Sequence, residues 1–206
     1  MTPENLAPRQ IALLKDIAHL GMRRAGDALC RMLRQPVDIR VPSLRISPLT
    51  DAPEFLQHGQ VLAVHLGLQG DAKGDILFLL PEETARYVLE KLLGRGAFTR
   101  FDDPMAGSTL LEIGNILASA FLAALDDRLR MSLLPSPPRL IILPPSELLE
   151  RFAEPEGTDG GRVLLLETTF SLDGDNRSLP GHFCLRPSSG TLPELLKAAQ
   201  SAANGG

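Results

Sequence analysis

Two long stretches of the chain place their apolar residues at helical spacing. In the first, residues 8–34, apolar positions recur every three or four residues until Gln35-Pro36 ends the pattern. The second runs from Ser108 to Leu125, and its apolar side consists of Leu110, Ile113, Gly114, Leu117, Phe121 and Leu125. Its other side carries a polar stripe formed by Ser108, Glu112, Asn115 and Ser119. The pattern predicts two long helices, the second with a carboxylate and a carboxamide one turn apart.

Other segments have the pattern of strands. Residues 37–46 alternate apolar and polar positions, and Pro42 and Pro48 predict an edge strand or a strand broken in two. Residues 61–68 and 75–80 are joined by a glycine-containing turn, which predicts a hairpin. Further extended segments are predicted at 132–143, which is proline-broken, and at 162–172 and 181–185.

Several shorter helices are predicted from their end signals. Pro81 with two following glutamates begins one that ends at Gly94. Asp103-Pro104 is a typical N-cap and first-turn pair for the second long helix. The remaining predictions are helices at 145–152 and 191–202, a helical turn at Glu54–Leu56 and a loop at Glu154–Gly161.

The two halves of the chain repeat the same order of elements: a long helix, a proline-broken strand, a hairpin and a helix. A shift of the first half by 96 positions brings Asp16 onto Glu112 and Pro42 onto Pro138. We therefore predict an α+β fold of internally duplicated helix–strand–hairpin–helix units with pseudo-twofold symmetry, its helices packed on a mostly antiparallel sheet. The predicted boundaries are a single domain at 1–206, with repeats at about 8–94 and 103–203.

Composition narrows the possible partners and the compartment. The net charge of −4 favours neither nucleic acid nor an anionic membrane surface. No uninterrupted apolar run approaches the roughly 20 residues of a membrane span, and the N-terminus lacks a signal-peptide pattern, so we expect no membrane insertion and a cytoplasmic protein. Cys30 and Cys184 lie in apolar segments, which favours free thiols in a reducing compartment.

Common catalytic and metal motifs are not visible. The sequence has no phosphate-binding glycine loop, no HExxH and no Cys/His metal spacing. Asp126 and Asp127 are adjacent on a helix and point apart, so we do not interpret them as a metal pair. His65 lies within a predicted strand, which favours a structural role. We predict no metal site and no cofactor belonging to this chain.

The polar stripe is the remaining candidate for chemistry. Patterning alone also fits an ordinary solvated helix face. However, Ser108, Glu112 and Asn115 with Pro138 further along resemble the active-site signature of the CheC/CheX/FliY family of bacterial chemotaxis phosphatases. The segment Leu-Leu-Glu-Ile-Gly-Asn-Ile around Glu112 and the duplicated architecture are similar to this family too, and the chain length is most similar to CheC.

This resemblance implies dephosphorylation of the aspartyl phosphate on a CheY-type response regulator, whose receiver domain brings its own Mg²⁺ and lysine. Asn115 would orient a water for in-line attack, since a carboxamide both donates and accepts hydrogen bonds. Glu112 would pair with the receiver's lysine. Ser108 either hydrogen-bonds the partner or shapes the start of the helix.

The first helix departs from the family's pattern. The positions equivalent to Glu112 and Asn115 are Asp16 and His19. Aspartate is one methylene shorter than glutamate, and imidazole does not present the donor and acceptor pair of a carboxamide. We therefore predict a degenerate second site with little or no activity.

Three functions compete at this stage. The first is a CheY-directed phosphatase with one intact site. The second is a non-catalytic adaptor that binds a response regulator or the receptor deamidase CheD. The third is a flagellar switch component of the FliY type. The intact Glu112/Asn115 pair favours the phosphatase, and the internal duplication favours a monomer.

Overall fold

The fold is that of a computed structural model, which describes residues 8–48, 60–152, 162–172, 177–188 and 190–204. The predicted turn at Glu54–Leu56 and the predicted loop at Glu154–Gly161 lie outside these residues. Within the described residues, the main helices and strands match the predictions. In chain order the elements are α1 (Pro8–Leu33), β1 (Val37–Pro48), β2 (Val61–Gly70), β3 (Gly74–Pro81), α2 (Glu82–Leu93), α3 (Pro104–Leu129), β4 (Leu133–Pro135), β5 (Arg139–Leu143), α4 (Pro145–Phe152), β6 (Arg162–Leu172), β7 (Leu179–Pro187) and α5 (Thr191–Asn204).

The seven described strands form one sheet in the order β1-β6-β7-β3-β2-β4, with β5 also paired to β2. All of these pairings are antiparallel. β1 lies at an end of this order, as predicted, and its register shifts between Arg40 and Ser43, beside Pro42. Because proline has no N–H to donate, the irregularity falls where the ladder would lose a hydrogen bond.

The internal duplication is visible residue by residue. Pro8 and Pro104 begin α1 and α3, Leu33 and Leu129 end them, and the members of each pair are 96 positions apart. Each half lends its proline-broken strand to the other half's hairpin, since β1 pairs with β6 while β4 and β5 pair with β2. The two hairpins meet through β3 and β7, where Phe78 lies opposite Phe183. The predicted duplicated α+β fold is confirmed.

Two hydrophobic cores lie on opposite faces of the sheet. The larger contains the inward residues of α1 and α3 together with residues from α2 and α5. The smaller contains Leu148 and Phe152 of α4 against alternate residues of the central strands. The two faces are distinct because successive strand residues point to opposite sides. α3 therefore lies between the large core and the molecular surface.

The residue predicted to cap α3 lies at the N-cap position but does not make the expected hydrogen bond. Asp103 is the N-cap residue, yet its side chain makes no capping hydrogen bond to the helix. Its Oδ2 atom instead accepts hydrogen bonds from the amides of Thr99 (2.9 Å) and Arg100 (3.1 Å). These two hydrogen bonds lower the pKa of Asp103. The carboxylate thus closes the preceding turn, while Pro104 at the first position removes one N–H that a cap would have served.

One helix bears on the expectation of no membrane insertion. α3 is long and apolar enough to cross a membrane by length and composition, although no uninterrupted apolar run marks it. Half of its most apolar window is buried inside the fold, which is where Leu117 and Phe121 pack. The composition of α3 is therefore that of a core helix.

Candidate functional site

Glycine residues allow α3 to pack closely against β2 and α1. A Cβ atom added at Gly114 would lie 2.5 Å from Cγ1 of Val64 on β2. A Cβ atom added at Gly21 of α1 would lie 2.8 Å from the Cα atom of Phe121. These close approaches need residues without side chains. They fix the rotation of α3, and so determine which of its residues face outward.

The outward residues of α3 include the whole predicted polar stripe. Ser108, Glu112 and Ser119 are exposed, and Asn115 is half-buried. Glu112 and Asn115 are three positions apart in a continuous helix, so their Cβ atoms lie roughly 5–6 Å apart. The carboxylate and the carboxamide therefore emerge side by side at the surface.

The described part of the fold does not use the side chains of Glu112 and Asn115. Within the described residues, neither Glu112 nor Asn115 makes a side-chain hydrogen bond or an ion pair. The Ser108 hydroxyl differs, since it donates to the backbone oxygen of Met105 (3.0 Å). Of the two roles left open for Ser108, this bond supports shaping the first turn of the helix. Glu112 and Asn115 keep their hydrogen-bonding groups available to a ligand or partner.

The signature proline lies in the crossing between β4 and β5. Pro138 is half-buried, and nearby Ser136 anchors the crossing to β2 by two hydrogen bonds. The Gly67 amide donates to the Ser136 Oγ atom (2.8 Å), and the Ser136 amide donates to the Gly67 oxygen (2.8 Å). Leu140 of β5 lies 3.8 Å from a Cβ atom added at Gly107. The crossing is thus held to β2, and the strand that follows it lies against the helix that carries Glu112 and Asn115.

The equivalent residues of α1 lie on its surface, as predicted, but their contacts differ from those of Glu112 and Asn115. Asp16 is exposed and has no partner among the described residues, as expected of the equivalent of Glu112. His19 is exposed, yet its Nε2 atom lies 3.1 Å from the Val41 oxygen, so it is tied to β1 as an Nε2–H donor. A groove of about 610 Å³ opens beside it, between α1 and β1. Gly26 lines this groove where α3 has the bulkier Leu122.

Sequence patterning missed a polar network on the opposite face of the sheet. The His65 Nε2 atom lies 2.7 Å from Asp75 Oδ1, and Arg186 donates through Nη2 to Asp75 Oδ2. Arg186 also donates through Nη1 to the Phe152 oxygen at the end of α4 (3.4 Å). Burial alone would raise the pKa of Asp75, but the hydrogen bonds from His65 and Arg186 outweigh it and lower that pKa. The network attaches α4 to the sheet, which agrees with a structural role for His65.

No group of three or more histidine, cysteine, aspartate or glutamate residues in the described ranges is arranged to hold a metal ion. Cys30 and Cys184 are free thiols. The Asp127 carboxylate forms an ion pair with Arg24 of α1 (2.6 Å), so it joins the two long helices. The candidate site therefore consists of side chains that can position a ligand by hydrogen bonds and form an ion pair with it.

The fold is similar to that of the duplicated α+β proteins of the CheC/CheX/FliY type. No family model matches the sequence. Over 194 residues the chain is 24% identical to the CheY-P phosphatase CheC of Bacillus subtilis, covering 92% of this chain and 93% of that protein. The predicted resemblance to this family is confirmed by that similarity together with the fold.

Solved structures share the architecture at low identity. FliY of Thermotoga maritima has a TM-score of 0.75 and 17% identity, covering 96% of this chain and 98% of that one. The FliM middle domain of H. pylori has a TM-score of 0.63 and 12% identity, covering 93% and 99%. These likenesses establish the fold alone. Activity must therefore be argued from the residues on α3.

Proposed function

We propose that this chain is a protein aspartyl-phosphate phosphatase that dephosphorylates a CheY-type response regulator in bacterial chemotaxis, acting in the cytoplasm as a monomer. The observation that carries the proposal is the arrangement of Glu112 and Asn115. Glu112 is exposed, Asn115 is half-buried, and neither side chain has a partner among the described residues. The similarity to a CheY-P phosphatase along nearly the whole chain supports the same substrate class.

The reaction demands little of the phosphatase itself. Water attacks the phosphorus, the bond between phosphorus and the aspartyl oxygen breaks, and inorganic phosphate leaves a free aspartate on the receiver. Mg²⁺ and a lysine of the receiver belong to the substrate and neutralise the charge of the phosphoryl group. What remains is to place the water in line, and correct placement is worth several kcal/mol of the barrier in general.

Asn115 is the residue that positions the attacking water. Its carboxamide oxygen accepts a hydrogen bond from the water while its NH₂ group donates to a phosphoryl oxygen. The half-buried position of Asn115 limits the directions its side chain can take. Glu112 pairs with the receiver lysine and so holds the docked domain in register with Asn115. Catalysis then depends on Asn115, and docking on Glu112.

The test follows the decay of a phosphorylated CheY-type receiver with Mg²⁺ present. Wild-type protein is expected to speed the decay, and Asn115→Ala to reduce that acceleration by about 10²-fold or more while retaining binding. Gln200→Ala is the matched control, because it removes an exposed carboxamide from α5, outside the polar stripe of α3. Coincident decay curves for wild type and Asn115→Ala, with binding retained, would instead establish a non-catalytic adaptor of a response regulator or of CheD.

A further inference from the structure

The outer edge of β1 has one residue whose backbone groups are open. β1 is an end strand of the described sheet, so only one of its edges pairs with another described strand. At the other edge the Val37 amide donates to Cys30 Sγ (3.1 Å), the Cys30 thiol donates to the Val37 oxygen (3.5 Å), and His19 Nε2 lies 3.1 Å from the Val41 oxygen. Because alternate residues of a strand direct their backbone groups to the same edge, those of Ile39 point outward too. No hydrogen bond from the described residues reaches them there.

The groove between α1 and β1 runs along this edge. Its volume is about 610 Å³, and its lining includes Met22 and Ile39, which are both buried and apolar. Gly26 lines it without a side chain, whereas the equivalent residue of α3 is Leu122. A Cβ atom added at Gly26 would already lie 3.3 Å from the Val37 oxygen, so a larger residue would close the space. The groove is therefore an apolar slot with free backbone groups along one wall.

The charges around the groove are balanced in sign. On β1, Asp38 and Arg40 flank Ile39, are exposed and form an ion pair with each other (2.7 Å). On α1, Arg23 and Asp27 line the other wall, are exposed and have no partner among the described residues. These four charges sum to zero, so the groove does not attract a polyanion or a polycation. It suits an occupant that carries one charge of each sign.

We infer that the groove binds an extended peptide segment of a partner protein, added antiparallel to the outer edge of β1, with the order acidic, apolar, basic. The central residue exchanges two hydrogen bonds with Ile39, and its side chain points to the apolar floor on the same side as that of Ile39. Its neighbours lie opposite Arg40 and Asp38 in non-hydrogen-bonded pairs, where facing side chains are closest. Because the added segment runs antiparallel, the acidic residue opposite Arg40 comes first.

Contacts from α1 fix the register of the added segment. A shift by two residues would place the central residue opposite Val37 or Val41, whose outward groups already bond side chains of α1. A shift by one residue would turn the apolar side chain away from the floor of the groove. The site therefore recognises one order of three residues, and this recognition is separate from the polar stripe of α3.

A second copy of this chain fits the groove less well, although its β1 carries the same order in Asp38-Ile39-Arg40. α1 reaches the edge of β1 itself, through His19 at Val41. Paired strands lie about 4.8 Å apart, whereas a helix with its side chains is about 10 Å across. Two β1 edges therefore cannot pair while each is bordered by its own α1. A peptide segment in extended form brings no such helix.

The experiment measures the binding of two acetylated and amidated peptides to the full chain by calorimetry. One contains Glu-Val-Lys between threonines and the other contains Lys-Val-Glu, so their composition and net charge are the same. We expect one site per chain for the first peptide and a Kd about tenfold higher for the second, because both cross-strand pairs become like-charged. Methylation of the valine nitrogen in the first peptide removes the donor to the Ile39 oxygen and should also raise the Kd about tenfold or more.

An exchange of charges on β1 provides the decisive variant. Asp38→Arg combined with Arg40→Asp reverses the order of the charges and keeps their ion pair, and both residues are exposed, so the protein should fold. The double variant should prefer the Lys-Val-Glu peptide by about the same factor. Arg100→Asp combined with Asp102→Arg is the matched control, since it exchanges another exposed ion pair two residues apart, outside the groove, and should leave both affinities unchanged.

Three results would overturn the inference. They are no binding of either peptide, equal affinity for the two peptides, and a preference that the exchange on β1 fails to reverse. Sedimentation of the protein alone tests the other occupant. A dimer that dissociates in the single variant Asp38→Arg would assign the groove to a second copy of the chain and would also overturn the inference.

Discussion

Arg34 and Arg130 adopt the same left-handed backbone conformation, with φ of 53° and 56°, immediately after α1 and α3. The Arg130 amide donates to the Asp126 oxygen (2.7 Å), which closes the last turn of α3. Glycine is the usual residue at this position, because a side chain makes the left-handed conformation unfavourable. The duplicated fold thus carries the same strained turn twice.

Arg130→Gly should stabilise the protein. Removing the side chain relieves about 1–2 kcal/mol of left-handed strain, while the added freedom of the unfolded chain costs roughly 0.4–1 kcal/mol. We expect a net gain of about 0.5–1 kcal/mol in the free energy of unfolding, measured by urea denaturation. Arg128→Gly, two residues earlier within α3, is the control and should lose about 1 kcal/mol. A loss at Arg130 as large as at Arg128 would contradict the strain argument.

Gly114→Ala should destabilise the protein and disturb the site. The new methyl group would lie 2.5 Å from the buried Val64 side chain, so α3 or β2 must move. Overpacking of this kind costs about 1–3 kcal/mol, and the displacement of α3 would carry Glu112 and Asn115 with it. The measurements are the free energy of unfolding and the rate of receiver dephosphorylation.

Gly107→Ala provides the matched control on the same helix. Its added Cβ atom would lie 3.6 Å from the Phe101 oxygen and 3.8 Å from Leu140, which are ordinary contacts. Because alanine is the better helix former, this variant should gain roughly 0.5–1 kcal/mol. In a Gly114→Ala protein, Val64→Ala should recover part of the loss. Independent, additive effects of the two substitutions would show that no collision occurs.

The Asp75 network should make stability depend on acid pH. The pKa of Asp75 is lowered on folding, so the carboxylate stabilises the native state above the unfolded value of 3.8, and this contribution is lost as the pH falls below about 4. Asp75→Asn should be less stable at pH 7, with the gap to wild type closing in acid. Burial lowers the pKa of His182 to about 4, but this histidine is present in both proteins and cancels in their difference.

The measurement is the free energy of unfolding from urea titrations between about pH 3 and pH 7. Asp16→Asn is the control, since Asp16 is exposed and makes no hydrogen bond or ion pair within the described residues. Its free energy of unfolding should differ little from that of wild type at pH 7. A gap for Asp75→Asn that does not change with pH would mean that the hydrogen bonds, and not the charge, stabilise α4 against the sheet.

Local patterns predicted the elements and the repeat because helix and strand periodicity are properties of neighbouring residues. The shift that aligns Asp16 with Glu112 also aligns the ends of α1 and α3 in the structure. The exchange of strands between halves could not be predicted in the same way. β1 reaches β6 across more than a hundred residues, and its register depends on packing of the whole sheet.

The same limit applied to the side chains. Glu112 and Asn115 could be placed on one face because they are three positions apart in one helix. Asp75 and Arg186 meet only through the pairing of β3 with β7, which no local pattern indicates. The hydrogen bonds of Asp103 were not predicted, and the role of Ser108 was left open between two alternatives, for another reason. Asp103 accepts from the amides of two residues before the helix, and Ser108 donates to the Met105 oxygen, so both depend on the backbone geometry around the start of α3.

Loss of the first-helix residues should leave dephosphorylation nearly intact. Asp16→Ala removes a carboxylate that is shorter than the glutamate of the second site, and His19→Ala removes a side chain already bonded to the Val41 oxygen. Neither substitution should alter the positions of Glu112 and Asn115 on α3. We expect kcat and KM for a phosphorylated receiver within about twofold of wild type, against a loss of about 10²-fold or more for Asn115→Ala.

His19→Ala has one further expected effect, on stability. Without the hydrogen bond to Val41, the protein should lose about 1 kcal/mol, whereas Asp16→Ala should lose less than about 0.5 kcal/mol. Activity must therefore be compared at a temperature where both variants are fully folded. A severe loss of kcat in either variant under that condition would show that α1 takes part in catalysis, and the phosphatase would then have to be described with two working sites.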